Sequence, residues 1–189
     1  MNIIGGRHRG RRLRSPKGRA TRPVLGRVRE SLFGVLGDMS GLEVLDLFTG
    51  TGAVGIEALS RGAVRLTAVE KSTALCRIIR ENLDMVGEAG EVVRDDVFKA
   101  LVRFSEEDRA FSFVFADPPY KEGLSQRAVL EVTGREILGR GGLLAVTVRK
   151  DEIMPGDESW EGTALPGDIR IVFDRRYGDT RLVIYVRKG

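Results

Sequence analysis

Residues 44–55, Val44-Leu45-Asp46-Leu47-Phe48-Thr49-Gly50-Thr51-Gly52-Ala53-Val54-Gly55, decide the fold. A short apolar run suited to one buried strand ends in glycines spaced for a tight turn, and a helical pattern follows through Leu59. Gly62 is placed to cap that helix. The alternation repeats outward from here. Val64–Val69 reads as a second strand, and Ser72 caps a helix whose Leu75, Ile78, Ile79 and Leu83 make one stripe closed at Gly87. Glu91-Val92-Val93 is a third strand, followed by a helix carrying Val97, Ala100, Leu101 and Phe104. Phe111–Phe115 is a fourth strand. A helix over about residues 125–138, a turn at Gly141-Gly142 and a fifth strand, Leu143–Val148, come next. Residues 151–167 read as a surface loop. Ile169–Phe173 and Leu182–Val186 then read as strands of a hairpin turning at Tyr177-Gly178-Asp179-Thr180. Repeated βα units predict an α/β fold, Rossmann-like, with a mainly parallel seven-stranded sheet and a C-terminal antiparallel hairpin.

Composition narrows the chemistry. A chain of 189 residues with one cysteine, Cys76, and one histidine, His8, has no internal disulfide and no material for a cysteine or histidine metal cluster, so no metal is expected. Cys76, between Leu75 and Ile78, reads as a packed core thiol. No apolar run approaches membrane-spanning length and no secretion signal opens the chain, so a cytoplasmic monomer without membrane contact is expected. Charge is unevenly placed. Residues 1–30 hold nine arginines and one lysine against a single acid, Glu30, while residues 31–189 sum to −5. Arginine outnumbers lysine 25 to 6, and guanidinium forks suit phosphates. A basic arm on an acidic body is the footprint of a polyanion binder, with a solvated tail as the plainer alternative. Residues 1–22 are therefore read as a basic RNA-binding extension, with Arg7, Arg9, Arg11, Arg12 and Arg22 as candidate contacts, and 23–189 as the catalytic domain. Within the arm, Ile3-Ile4 and Leu13 read as short strands around a turn. Thr21-Arg22-Pro23 starts a helix with Leu25, Val28, Leu32, Val35 and Leu36 on one face and Arg22 and Arg29 off it. Removing residues 1–20 is expected to stop action on RNA and to leave the affinity for any cofactor of the body nearly intact.

In an open parallel sheet, ligands sit beyond the carboxyl ends of the strands. The residues there are Asp46 to Gly52, Glu70, Asp95-Asp96 and Asp117 to Tyr120. Gly50-Thr51-Gly52-Ala53-Val54-Gly55 matches the dinucleotide pattern GxGxxG, and Glu70 lies near the distance of a ribose-binding acid. Asp46 argues against a phosphate ligand, because an acid inside the strand repels phosphate and suits the ammonium end of a cationic cofactor. S-adenosylmethionine carries a sulfonium and an amino-acid group and no phosphate. The candidate cofactor site is Asp46, Thr49, Gly50, Gly52, Glu70, Lys71, Asp96 and Val97, with Glu70 toward the ribose and Asp96 toward the adenine. Asp117-Pro118-Pro119-Tyr120 is sharper. Two prolines remove two N–H donors and leave a rigid loop of acceptors, the Asp117 carboxylate and the Pro118 carbonyl, which suit an exocyclic –NH2. Tyr120 can stack on the base. Asp117, Pro118 and Tyr120 are the candidate catalytic residues. A nicotinamide enzyme, an N6-adenine methyltransferase on DNA or RNA, a glutamine methyltransferase, and a cofactor-binding RNA assembly factor without turnover are the competing readings.

These motifs resemble the RsmD-type 16S rRNA guanine-N2 methyltransferases of bacteria. Ile3-Ile4-Gly5-Gly6 with its Arg-Gly-Arg run, Val28-Arg29-Glu30-Ser31-Leu32-Phe33, Asp46–Gly52 with Gly55-Ile56-Glu57-Ala58-Leu59-Ser60-Arg61-Gly62, Asp117–Tyr120 and Arg176-Tyr177-Gly178-Asp179-Thr180 are similar to that family's motifs and span nearly the whole chain. The resemblance implies a class I methyltransferase fold, S-adenosylmethionine as cofactor, and a guanine N2 of 16S rRNA in the 30S subunit or an assembly intermediate as substrate. One departure is Thr147, where the family often carries an acid on the fifth strand; the 151–167 loop is another.

Overall fold

A computed structural model describes residues 1–16, 23–120 and 123–189. Its elements in chain order are α1 Pro23–Leu36, β1 Glu43–Leu47, α2 Ala53–Ser60, β2 Arg65–Val69, α3 Thr73–Val86, β3 Glu91–Val93, α4 Val97–Glu106, β4 Phe111–Ala116, α5 Leu124–Gly134, β5 Leu138–Arg149, β6 Ile169–Tyr177 and β7 Thr180–Arg187. Two units divide the chain, Met1–Val97 and Phe98–Gly189. In the first, β1 and β3 each pair in parallel with β2, and Leu45, Leu47, Ile56, Leu66 and Ile79 are buried. In the second, β4 pairs in parallel with β5, while β7 runs antiparallel to both β5 and β6. The strands make the expected seven-stranded, mainly parallel sheet with its antiparallel hairpin. No helix of the described residues is long and apolar enough to cross a membrane.

Several elements differ from the sequence pattern for identifiable reasons. α5 ends at Gly134, and β5 starts at Leu138, so Gly141-Gly142 lies inside a strand rather than in a turn. Pairing with β4 shifts register between Phe111 and Phe113 there, and glycines absorb the extra residues of the bulge. On α1 the buried face is Val28, Leu32 and Phe33, and it includes Arg29, 6% exposed, whereas Val35 is 45% exposed. Helical spacing sets Arg29 one turn from Leu32 and Phe33, so its charge did not keep it off the face. Its Nη2 donates to the Asn2 carbonyl at 2.5 Å, and burial holds the guanidinium below its ordinary pKa. The α3 stripe is Cys76, Ile79, Asn82, Leu83 and Val86, with Leu75 and Ile78 half-buried. Cys76 is a core thiol, its Sγ–H donating to the Glu70 carbonyl, and burial pushes it above the ordinary thiol range. The helix start at Thr21-Arg22 lies outside the described residues.

Candidate functional site

The glycine turn of the first unit is built by three acceptors. Asp46, 1% exposed at the end of β1, accepts from the Gly55 N–H at 3.0 Å through Oδ2. Gly55 is in the first turn of α2, where an otherwise unpaired N–H and the helix dipole both favour a carboxylate. The Thr49 hydroxyl donates to the Asp46 carbonyl at 2.9 Å. Glu70, at the end of β2, accepts from the Gly50 N–H at 3.0 Å through Oε2 and from the Ser72 N–H at 2.8 Å through Oε1. One carboxylate thus straps the turn to the N-terminus of α3. Phe48 sits in the left-handed region at φ 54°, a conformation that costs a non-glycine residue about 1 kcal/mol or more.

The glycines of the motif have different jobs. A Cβ on Gly55 would lie 2.5 Å from Leu66 Cδ1 on β2, and one on Gly52 3.2 Å from Ile56 Cδ1 on α2 and Ile79 Cγ2 on α3, so the first serves helix–strand packing and the second the packing of the turn against two helices. A Cβ on Gly50, at φ 62°, would meet only the Phe48 carbonyl oxygen at 4.0 Å. Gly50 alone opens onto free space in which a ligand can approach the backbone. The first unit therefore brings Asp46, Thr49, Gly50, Gly52 and Glu70 into one hydrogen-bonded turn. Lys71 follows it and is exposed. Asp96 is exposed at the start of α4, its N–H held by the neighbouring Asp95 carboxylate at 2.8 Å, beside buried Val97.

The arm is docked rather than free. An antiparallel bridge, Asn2 to Arg12, closes it, and Ile3 and Leu13 are buried in the first unit. Glu57 of α2, fully buried, accepts from the N–H groups of Ile4 and Gly5, each at 2.7 Å, and pairs with Arg61 at 2.8 Å. Ser60 donates to the Gly5 carbonyl at 2.6 Å. Arg7 and His8 both meet Glu88, Arg11 donates to the Met85 carbonyl, and Arg14 pairs with Glu81. Arg9 and Arg12 are exposed, and among the described residues no hydrogen bond or ion pair holds their side chains. Of the expected RNA contacts, then, Arg7 and Arg11 hold the body, Arg9 and Arg12 face solvent, and Arg22 lies outside the described residues. With Ile3 and Leu13 in the core, removal of residues 1–20 would also uncover apolar surface of the first unit.

In the second unit, β4 delivers Asp117-Pro118-Pro119-Tyr120. Asp117 is half-buried, and its carboxylate accepts from the buried Thr147 hydroxyl on β5. The Tyr120 hydroxyl pairs with Thr180 Oγ1 on β7 at 2.8 Å, while the residue as a whole remains 40% exposed. Pro118 is buried and Pro119 exposed. Arg181, next to Thr180, forks onto Asp157 and Asp174, which fastens the 151–167 loop to the hairpin. The Asp157 carboxyl is held below the ordinary range by that guanidinium. Thr147 and Thr180 fix Asp117 and Tyr120 from strands far away in sequence. Neither role was readable from the motif, although Thr147 stood out as a departure.

A family model described as Conserved hypothetical protein 95 matches residues 1–186. The chain belongs to this family. The resemblance to RsmD-type enzymes is borne out by its relatives. Ribosomal RNA small subunit methyltransferase D of Escherichia coli (strain K12) is 36% identical over 132 residues, covering 68% of this chain and 65% of that protein. The protein of the same name from Haemophilus influenzae is 30% identical over 164 residues, covering 85% and 84%. YlbH of Bacillus subtilis is 30% identical over 192 residues and covers 100% of both. Among solved structures, yhhF of Escherichia coli superposes with a TM-score of 0.84 at 28% identity, covering 100% of this chain and 98% of that one.

Proposed function

We propose that the chain uses S-adenosylmethionine to methylate the exocyclic N2 amino group of a guanine in 16S rRNA, within the 30S subunit or an assembly intermediate. The observation that carries this reading is Asp117-Pro118-Pro119-Tyr120, ending a strand with its acid and its aromatic ring each fixed by a threonine. The small-subunit methyltransferase relatives support the choice of RNA. The residues of the glycine turn fit the cofactor. Gly50 leaves open space over its backbone, and each Glu70 oxygen retains a second lone pair beyond the amide it holds. Asp46, Thr49, Gly50 and Gly52 would hold the amino-acid end, Glu70 with Lys71 beside it the ribose, and Asp96 with Val97 the adenine. Bound S-adenosylmethionine supplies a methyl carbon already activated by its sulfonium.

What the protein must add is alignment and a hold on the amino group. Asp117 and the Pro118 carbonyl accept the two hydrogens of the –NH2. That favours a pyramidal nitrogen and stabilises the positive charge that develops on it. Thr147 keeps Asp117 in one rotamer, and Thr180 keeps Tyr120 in place to stack on the base. The proton lost by the nitrogen goes to Asp117 or to water. The basic extension, residues 1–22, binds the RNA backbone. Among the described residues of the extension, Arg9 and Arg12 are the candidates left for phosphate, since Arg7 and Arg11 hold the body. Replacing Arg9 and Arg12 together by alanine is expected to weaken RNA binding and to reduce the slope of log Kobs against log salt by about 0.9 for each phosphate ligand removed. Titrations at several salt concentrations measure this.

The reading is tested by incubating the protein and labelled S-adenosylmethionine with 30S particles, naked 16S rRNA, DNA and a release-factor-like protein. Label is expected in 30S particles or their rRNA, as N2-methylguanosine on nucleoside analysis. N6-methyladenosine would assign the acceptor to adenine. Label in DNA or protein alone would sink the ribosomal reading, and cofactor binding without transfer to any of the four would leave an assembly factor.

A further inference from the structure

Asn82 is a polar residue in the middle of the apolar stripe of α3, between Ile79 and Leu83, and it is 0% exposed. A packing helix has no use for an amide there, because burying one without partners costs on the order of 1–3 kcal/mol. Its three hydrogen bonds reach two different segments. Oδ1 accepts from the Arg14 N–H at 2.7 Å, and Nδ2 donates to the Arg14 carbonyl at 3.1 Å. Nδ2 also donates to the Thr51 carbonyl at 3.0 Å. The amide thus holds both backbone groups of one arm residue with the geometry of a strand pair. With its remaining N–H it holds the residue between Gly50 and Gly52. The preceding residue on α3, Glu81, takes the Arg14 side chain at 2.7 Å, so the helix grips Arg14 completely.

We propose that Asn82 is a positioning residue that couples RNA engagement by the arm to cofactor binding at the glycine turn. This rests on the functional reading above, because it needs the arm to meet RNA and the turn to meet S-adenosylmethionine. The physical basis is that one planar amide cannot rotate to follow Arg14 and keep its bond to Thr51. A displaced arm loosens the turn, and a ligand that orders the arm fixes the Thr51 carbonyl and with it the backbone of Gly50 and Gly52. Coupling of this kind is reciprocal: RNA tightens cofactor binding by the same factor by which cofactor tightens RNA binding.

The test is calorimetric titration of S-adenosylhomocysteine into the full-length protein, alone and with 30S particles reconstituted on unmodified 16S rRNA transcript. Wild type is expected to bind the cofactor product at least about five-fold more tightly when the particle is present. Asn82→Asp keeps the volume and the acceptor for Arg14 but loses both donated bonds, and is expected to bring the ratio close to one. Arg14→Ala removes only the side-chain pair with Glu81 and is expected to retain the ratio. Melting curves establish that both variants are folded. If Asn82→Asp does not fold, Asn82→Ala, which removes all three bonds without burying a charge, takes its place and is likewise expected to bring the ratio close to one. A wild type that binds both ligands with a ratio of one overturns the coupling and leaves the functional reading standing. A ratio lost in Arg14→Ala but kept in Asn82→Asp overturns Asn82 as its carrier. Absence of any S-adenosylhomocysteine binding overturns both.

Discussion

Asp117→Ala is expected to lower kcat for rRNA methylation by about 100- to 1,000-fold, the usual loss when one preorganised group facing transition-state charge is removed. Affinity for S-adenosylhomocysteine is expected to stay unchanged, because the role assigned to Asp117 is to hold the amino group of the base and not the cofactor. The size of the effect follows from the nucleophile. An amino group conjugated with a base ring has a delocalised lone pair, and it gains positive charge as the new carbon–nitrogen bond forms. A carboxylate accepting one of its hydrogens acts more strongly on that charged state than on the ground state, so the loss falls on kcat rather than on KM. Asp117→Asn is expected to lose less, since one carbonyl oxygen still accepts and the Thr147 hydroxyl can turn to meet it. Single-turnover kinetics with excess enzyme separate chemistry from product release. An Asp117→Ala variant that methylates at the wild-type rate would move the acceptor site away from this motif.

The ends of the strands were legible because acids and glycines interrupt apolar runs there. Glu70, Asp95-Asp96 and Asp117 each stand just after a strand stops, and Asp46 is the last residue but one of β1. What the pattern did not carry was how the acids are satisfied. Glu70 looked like a free ribose acid, yet both its oxygens already hold backbone amides and brace the turn. The motif glycines looked equivalent, yet two of them serve packing and only Gly50 faces open space. These are facts about neighbours, and no spacing rule encodes them.

The arm shows the same limit in its charges. A count of arginines indicates a polyanion partner and cannot tell which of them the protein uses on itself. Arg7, Arg11 and Arg14 meet groups on or just after α3, more than sixty residues away in sequence, while Arg9 and Arg12 do not. The unforeseen strand start at Leu138 and the misjudged face of α1 have simpler causes. Glycines inside a bulge look like a turn, and an arginine with an apolar stem looks like a surface residue until a carbonyl such as that of Asn2 receives it. Asn82 and Glu57 did leave a trace. Each is a polar residue inside an otherwise apolar helical face, and such residues are retained where a distant backbone needs them.

Glu57 sets the second large expectation. Glu57→Ala is expected to destabilise the protein by about 3–5 kcal/mol, the usual cost of removing one partner of a buried charge pair. For a chain of this length, the melting temperature should fall by roughly 10 °C. The carboxylate is fully buried, and three donors converge on it: the N–H groups of Ile4 and Gly5, each at 2.7 Å, and the Arg61 guanidinium at 2.8 Å. Alanine leaves two part-buried backbone amides without an acceptor and Arg61 without its carboxylate. Ile3 then keeps its burial and its backbone bonds to Gly10 and Arg11, and the arm keeps the Ser60 and Asn82 contacts, but the buried carboxylate that gathers Ile4, Gly5 and Arg61 is gone. Glu57→Gln retains one acceptor oxygen and turns an –NH2 toward the donor facing the other, so it is expected to fall between alanine and wild type. Trypsin provides a second measurement, since an undocked arm exposes the backbone around Arg7, Arg9, Arg11 and Arg12 and should be cut well below the melting temperature. A Glu57→Ala protein that melts with wild type and resists trypsin in the arm would mean that burial of Ile3 and Leu13 with the remaining contacts to Ser60, Asn82 and Glu88 suffices to dock it. The motif Gly55-Ile56-Glu57-Ala58-Leu59-Ser60-Arg61-Gly62 would then need another explanation than the one the hydrogen bonds supply, namely that α2 carries the glycine turn at one end and fastens the arginine-rich arm along its side.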